Sequence, residues 1–492
     1  MSQDQPTSER KGLALALLAL AQFVVVLDAS IVNVALPSIG RDLQFAPNDL
    51  SWVVNAYTLT FGGFLLLGGR LADLLGRRRL FMVGLTLFAV ASLAGGLAQS
   101  SGWLIAARAV QGLGAALLSP AAHSILTTTF TEGAERNRAL GVWGAVAGSG
   151  GAAGVLLGGM LTQWAGWEWV LFVNVPIGIA AAAGALRVLA ESRNEGPRHF
   201  DVAGAVTVTA GLSLLVYALV DANNAGWGST KTIGLGAIAL ALIAGFVAIE
   251  LRTKAPLVPF PGIFRLRTIT GVNITALFVA MALFSMFFFV SLYMQNVLGY
   301  DALKAGLSYL PLAGGIIVSA GIASSLVTRF GFKPILVAGL LLTAAGLIWF
   351  SQVSANGTYV GDILFPSLLA AVGLGFAFVS MTVAAVAGVR PDEAGLASGL
   401  INTSQQVGGA LGLAILATIA TAKTDAVLAA AGGSPAARGE ALTEGFSRAF
   451  EVGAGFAIVG AILALVLISG RQSRQHAEAA QRGEIESVPV AA

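Results

Sequence analysis

Apolar residues occur along this chain in long unbroken runs. They show neither the alternation of a half-buried strand nor the narrow stripe of a soluble helix. A helix needs ~20 mostly apolar residues to cross the hydrocarbon of a bilayer. Fourteen runs approach or exceed that length, at 12–36, 51–69, 80–98, 103–124, 139–161, 170–187, 202–220, 232–250, 269–292, 306–327, 334–351, 362–386, 395–420 and 447–470. The first is too long for a secretory signal, carries Asp28 and Asn33, and is followed by thirteen others, so it reads as a retained span that ends near Pro37. Polar residues concentrate between the runs, most of all at 188–201 and 251–268. The second segment places Pro256, Pro259 and Pro261 beside Phe260, Phe264, Arg265 and Arg267, a composition that interrupts helix and suits a membrane surface. Residues 471–492 are polar and are expected to lack structure.

Composition narrows the class. Only 11% of residues are charged, against about 25% in soluble domains, and 56% are hydrophobic. This excludes a cytosolic enzyme, a disordered chain and a nucleic-acid binder, and points to an integral membrane protein; the location expected for it is the plasma (inner) membrane, as a multi-pass protein. Cysteine is absent, and the three histidines His123, His199 and His476 are scattered, which excludes disulfides, thiolate sites and a histidine metal centre. No phosphate-binding Gly-x4-Gly-Lys-Ser/Thr, His-Glu-x-x-His or Gly-x-Ser-x-Gly occurs. The chain is therefore expected to be no enzyme and to need no cofactor. Transport would draw on an ion gradient, with protons as the coupling ion.

Charge placement sets the topology. With the N-terminus inside, inner segments hold 21 of the 28 Lys and Arg residues and outer segments hold 6, while Arg108 lies within a span. An odd number of spans would break this positive-inside alternation, so both termini are expected to be cytoplasmic. The runs group as six, two and six: a bundle at 1–187, an inserted two-helix linker at 188–260, a second bundle at 261–470 and a tail at 471–492. A weak internal repeat supports duplication. Gly69, Asp73, Gly76 and Arg78 after the second run parallel Ser324, Thr328, Gly331 and Lys333 after the tenth, at an offset of 255, and Gln111–Gly114 parallels Val372–Gly375 at an offset of 261. Duplicated halves with a substrate site between them are a common transporter plan.

A charge inside hydrocarbon costs about 2.5–3.5 kcal/mol on insertion scales, so its presence asks for a reason. Two lie well inside runs, Asp28 and Arg108. At 1.5 Å per residue, Asp28 is roughly 13 Å and Arg108 roughly 8 Å from the outer ends of their helices, within reach of one another through the long Arg side chain. Gln111, three residues after Arg108, shares its face. Desolvation favours the neutral form of a carboxyl group and a nearby guanidinium favours the charged form, which makes the pair a candidate proton site. The alternative is a static ion pair joining the first and fourth spans. Gly69, Asp73, Gly76, Arg77 and Arg78 form a candidate inner gate, or simply a positive-inside loop. Gly144, Gly148, Gly151, Gly154, Gly158 and Gly159 recur every three to four residues and form one stripe for close helix approach. Asn33, Asn55, Tyr57, Gln111, Phe284, Phe288, Gln295, Asn402 and Gln405 are candidate cavity-lining residues.

These segments resemble the major facilitator superfamily, specifically its fourteen-helix drug/proton antiporters. Leu27–Pro37 is similar to that family's first-helix signature, Gly69–Arg78 to its inner-loop motif, Arg108, Gln111 and Gly112 to its proton-coupling motif, and the glycine stripe to its antiporter motif. Trp167–Gly178 and Leu292–Tyr300 are also similar to family segments. The resemblance implies an all-α fold of two six-helix bundles plus two extra helices, acting as a monomer on small-molecule substrates among membrane lipids. It implies proton-coupled export of amphipathic compounds such as drugs, antibiotics and dyes by alternating access, with Asp28 as proton carrier and Arg108 tuning it. Export of lipids or lipid precursors on the same scaffold is the first alternative, and a non-transporting membrane sensor the second. The chain departs from the pattern at Val155, where the antiporter motif usually has proline, and in the second half, where Thr328 and Leu369 stand opposite Asp73 and Arg108. The lack of an embedded acid in the last six runs implies monovalent or neutral substrates.

Overall fold

The helices run past the ends of the apolar runs that predict them. The computed structural model describes residues 8–46, 49–130, 134–192, 201–253, 262–387, 389, 394–432 and 434–482, and each of the fourteen runs lies on helix. The first six runs lie on α1 (Ser8–Asp42), α2 (Trp52–Leu75), α3 (Arg77–Gly96), α4 (Ser101–Thr129), α5 (Ala134–Trp164) and the broken pair α6 (Trp169–Phe172) and α7 (Asn174–Val188). Then come α8 (Val202–Ala225) and α9 (Thr230–Glu250). The last six runs lie on α10 (Arg267–Leu292), the pair α11 (Ala302–Ser308) and α12 (Leu310–Phe330), α13 (Phe332–Phe350), α14 (Phe365–Val386), α15 (Ala394–Ala430) and α16 (Arg438–Leu467). A final helix, α17, covers Gly470–Gln481. No strand occurs among the described residues.

Twelve spans formed by these helices are long and apolar enough to cross a membrane. α2 and α5, at the second and fifth runs, are helices of 24 and 31 residues and stand outside that set.

Two expectations need correction, and one falls outside the described residues. The first helix does not stop at Pro37: α1 continues through it to Asp42. Part of the tail expected to lack structure is α17, because its polar sequence hides one stripe. Ser473 and Ala477 are buried, and the Gln481 amide donates to the carbonyls of Thr328 and Arg329. Pro256, Pro259 and Pro261 lie outside the described residues.

The internal repeat is visible as equivalent contacts. Gly76 and Gly331 both take positive φ, 110° and 84°, at the tight turns before α3 and α13, a conformation that needs glycine. Two residues past each of these glycines, a cation closes the same bond. Arg78 Nη1 donates to the Leu189 carbonyl at 3.0 Å, and Lys333 Nζ donates to the Ile468 carbonyl at 2.8 Å. Leu189 and Ile468 are the residues that end α7 and α16. These cations therefore sit at helix C-termini, where positive charge is favoured.

Glycine contacts extend the match. Gly84 packs on Gly114 as Gly339 packs on Gly373, and Gly112 faces Thr60 as Ala371 faces Gly315. These pairs hold the 255 offset for the second and third spans. They correct the offset of the fourth from 261 to 259, so the counterpart of Arg108 is Ser367, not Leu369. Gly154 and Gly158 sit on the Leu27 and Ile31 carbonyls as Gly408 and Gly412 sit on those of Leu277 and Met281, which makes Phe278 the counterpart of Asp28.

The halves touch at one end. Ser291 Oγ donates to the Asn33 carbonyl and Gln295 Nε2 to the Val34 carbonyl, both at 2.9 Å, while Gly306 faces the Val155 carbonyl and Gly159 faces Ala302. Further along, Gly62 of α2 meets Gln406 of α15. α8 lies across this seam. Its Thr209 hydroxyl donates to the Gly63 carbonyl at 3.0 Å, and its Val216 is buried with Trp52, Leu59, Val407, Ala410 and Ala414.

Candidate functional site

Asp28, Arg108, Gln111 and Tyr57 meet in the first half, and two residues outside the candidate set join them. Asp28 Oδ2 accepts from Arg108 Nη1 at 2.5 Å. Its Oδ1 accepts from Gln111 Nε2 and from Asn174 Nδ2, each at 2.8 Å. Arg108 Nη1 also donates to Gln111 Oε1 at 2.7 Å and Arg108 Nε to the Val53 carbonyl at 3.1 Å, while its guanidinium lies 4.4 Å from the centre of the Tyr57 ring. Ser92 Oγ accepts from both amides, at 3.1 Å from Gln111 and 3.0 Å from Asn174, and donates to the Leu171 carbonyl at 2.8 Å. The backbone elements α1, α2, α3, α4, α6 and α7 therefore converge on one network.

The network is closed to solvent. Asp28, Ser92 and Asn174 are 0% exposed and Arg108 and Gln111 1%. A charge pair so deep is tolerable only when it is also hydrogen-bonded, and the Gln111 and Asn174 side chains and the Val53 carbonyl serve that purpose here, with Ser92 holding both amides. The counterpart positions in the second half are Phe278, Leu347, Ser367, Ala370 and Gly453, none of them charged. The charged chemistry belongs to one half.

Other candidates are placed elsewhere. The Asn33 amide donates to the Ala29 carbonyl of its own helix at 3.1 Å, and Gln295 bridges the halves. Asn55 is buried, and its side-chain amide makes no hydrogen bond to a described residue. Phe288 is buried edge-on to Phe289 at 5.2 Å, in the aromatic cluster that includes Phe350, Phe446 and Phe450. Phe284 packs on Gly409, Gln405 is half-buried and Asn402 is exposed.

At the inner loop, Gly69 faces Pro120 and Asp73 lies near the end of α2. The residue that meets the α3 N-terminus is Glu191. Its carboxylate accepts from the backbone N–H groups of Arg78 and Arg79, each at 3.1 Å, and the Arg77 N–H donates to the Ser192 carbonyl at 2.9 Å. An anion at a helix N-terminus is favourable.

Within the glycine stripe, Gly144 and Gly148 lie early in α5. Gly154 and Gly158 take α1 against their backbone, Gly159 takes α11, and Gly151 has nothing within 4 Å of where a Cβ would stand. The Gly158 Cβ position is 2.6 Å from the Ile31 carbonyl oxygen, so Gly158→Val forces α1 and α5 apart. Overpacking of this kind costs about 1–3 kcal/mol. Gly151→Ala is expected to be neutral or to stabilise by up to about 1 kcal/mol through helix propensity. Thermal unfolding of the purified variants in detergent checks both; equal losses at the two positions would show that the stripe is not divided this way.

Comparison with known proteins agrees with this architecture. The family model of the Major Facilitator Superfamily matches residues 18–413. The puromycin resistance protein pur8 of Streptomyces alboniger is 40% identical over 471 residues, 95% of this chain and 93% of that one. The cephamycin export protein CmcT of Amycolatopsis lactamdurans is 45% identical over 428 residues, 86% of each chain. The multidrug resistance protein Stp of Mycobacterium tuberculosis (strain CDC 1551 / Oshkosh) is 34% identical over 418 residues, 85% of this chain and 77% of that one. Among solved structures, the inward-facing, unoccupied bacterial homologue of the human lysosomal transporter Spinster superposes with a TM-score of 0.69 at 17% identity, over 96% of this chain and 99% of that one. The POT family transporter PepTSo gives 0.69 at 15%, over 96% and 99%. These last two speak for the fold alone. The chain belongs to the Major Facilitator Superfamily, and is thus a membrane transporter and not an enzyme.

Proposed function

We propose that this protein is a proton-coupled antiporter of the plasma membrane that exports small amphipathic compounds by alternating access. The observation that carries the reading is the Asp28–Arg108 pair, held by Gln111, Asn174 and Ser92 and sealed from solvent in one half only. A permanent structural pair adds little net stability. A carboxylate that exchanges its guanidinium partner for a proton gives the protein two charge states to tie to two conformations.

The seam at the Pro37 end supports a rocking cycle. With that end shut, the path between the halves takes up substrate from the cytoplasm. When the halves rock, α1 and α4 shift against one another, Asp28 releases Arg108 and is protonated from outside as substrate leaves. Return to the inward-open form lets Arg108 reclaim the carboxylate and the proton departs inside. One proton thus enters for each turn that expels cargo. Asp73 and Arg77 latch the inner side in the outward-open form. The two bundles, 1–187 and 261–470, move as units, and both termini are cytoplasmic in a chain of fourteen spans that works as a monomer. The names of the puromycin, cephamycin and multidrug relatives support an antibiotic-like cargo. The lack of a clear embedded acid in the spans of the second half favours a monovalent or neutral one.

The test is reconstitution in liposomes with an imposed pH gradient, with puromycin and a cephamycin as probes. Adding either to the cytoplasmic face should drive a proton flux in the opposite direction. Substrate movement with no accompanying proton movement would remove the coupling. Binding with no movement of either would favour a sensor.

A further inference from the structure

Two irregular helices meet where the halves touch. Pro37 lies inside α1, and it has no N–H to donate to the carbonyl four residues earlier, that of Asn33. On the facing side, α10 passes into a wider π-helical turn at Tyr293–Val297, an insertion frequent at functional sites. From this end of α10, Ser291 Oγ donates to the Asn33 carbonyl at 2.9 Å. Gln295 Nε2, in the turn itself, donates to the next carbonyl, Val34, at 2.9 Å and to Ser291 Oγ at 3.2 Å. The acceptor that proline leaves open in one half is filled by a donor from the other. In the second half the counterpart of Pro37 is Phe287, which keeps its N–H, so the device is built once.

We infer that Pro37, Ser291 and Gln295 form the latch that holds the outer side shut, with Ser291 and Gln295 as positioning residues of the transport cycle. The inference rests on the alternating-access reading. Its chemistry suits a reversible gate. When the halves part on this side, water takes the place of both donors, so each bond contributes only its modest net strength and the latch opens without leaving a stranded acceptor. Pro37 shares α1 with Asp28, nine residues earlier, so a shift of that helix on protonation moves the carbonyl pair and the carboxylate together.

The absence of cysteine makes the test direct. Ala302, 5% exposed where α11 meets Gly159, is changed to cysteine and becomes the one thiol of the protein. A membrane-impermeant maleimide added outside intact cells reads how often the seam opens, and Lys304→Cys, at an exposed position, gives the rate of a permanently open site. In the parent background Ala302→Cys should label slowly. Ser291→Ala should raise the rate about five-fold, the equivalent of one net hydrogen bond, and Ser291→Thr, which keeps the hydroxyl, should not.

Pro37→Ala should also raise the rate, because the restored N–H shares the Asn33 carbonyl with Ser291 and keeps it bonded when the halves part. Combined with Ser291→Ala it should add little, since both act on one bond. Additive effects of these two, or an unchanged rate in Ser291→Ala and Gln295→Leu together, would overturn the latch. A parent rate equal to that of Lys304→Cys would overturn it together with alternating access. Total thiol measured after denaturation confirms that each variant is present in equal amount.

Discussion

Asp28→Asn is expected to abolish uphill export while leaving the protein able to bind cargo. In liposomes the variant should move substrate only down its own gradient, and its rate should be the same with and without an imposed pH difference. The reason lies in what the amide can and cannot do. Its oxygen still accepts from Gln111 and Asn174, the donors now 2.8 Å from Asp28 Oδ1. Its NH2 faces Arg108 Nη1, donor against donor, and it has no proton to gain or lose near neutral pH. Binding is expected to survive because the network is sealed and its side chains are 0–1% exposed, so cargo does not touch it in this conformation. Asp28→Glu separates charge from geometry. It keeps an ionisable group one methylene too long for the sealed site, so it should stay sensitive to the pH difference at a reduced rate. Wild-type export by Asp28→Asn against a gradient would remove the proposed carrier.

The fold was legible because its signal is thermodynamic. Fourteen long apolar runs admit few arrangements in a bilayer, and a charge deep within one is costly enough that Asp28 and Arg108 stood out unaided. Ser92 and Asn174 did not, although Asn174 bonds Asp28 at the same 2.8 Å as Gln111 does and Ser92 accepts from both amides. Small polar residues inside a span carry little information, since they satisfy themselves on their own helix. Thr58, Thr60, Thr275, Ser285 and Thr343 all donate to the carbonyl four residues back. Nothing in the sequence separates such a residue from one that reaches across to a carboxylate.

The repeat was legible in the inner loops, where charge and a positive-φ glycine recur together. In the fourth span it slipped by two residues, because glycines at close spacing match in several registers and only their contacts choose among them. Glu191 and α17 were missed for a related reason. Their polar sequences carry no sign that they dock on the turns before α3 and α13. Pro37 was legible as a helix breaker. That its orphaned carbonyl is claimed by the other half is a tertiary fact, and the helix consequently runs on to Asp42.

Removing Arg108 should cost more stability than any other single change in the first half, and neutralising Asp28 as well should recover most of it. Arg108→Gln leaves a carboxylate 0% exposed with two amide donors and no counter-charge. Breaking a buried pair on one side costs about 3–5 kcal/mol, since the abandoned charge has neither water nor partner. The double variant Asp28→Asn/Arg108→Gln replaces the pair by two amides. Both can join the existing hydrogen bonds to Gln111, Asn174 and the Val53 carbonyl, so no charge is stranded. Thermal unfolding of the four proteins in detergent closes a double-mutant cycle, in which the double variant should lie well above Arg108→Gln and near the parent. The same four proteins in liposomes separate scaffold from engine. The double variant should be folded and yet insensitive to a pH difference, like Asp28→Asn alone. If it were as unstable as Arg108→Gln, the pair would be holding α1 to α4 through packing rather than charge. If it exported uphill, protons would have to travel by a route that avoids this network altogether.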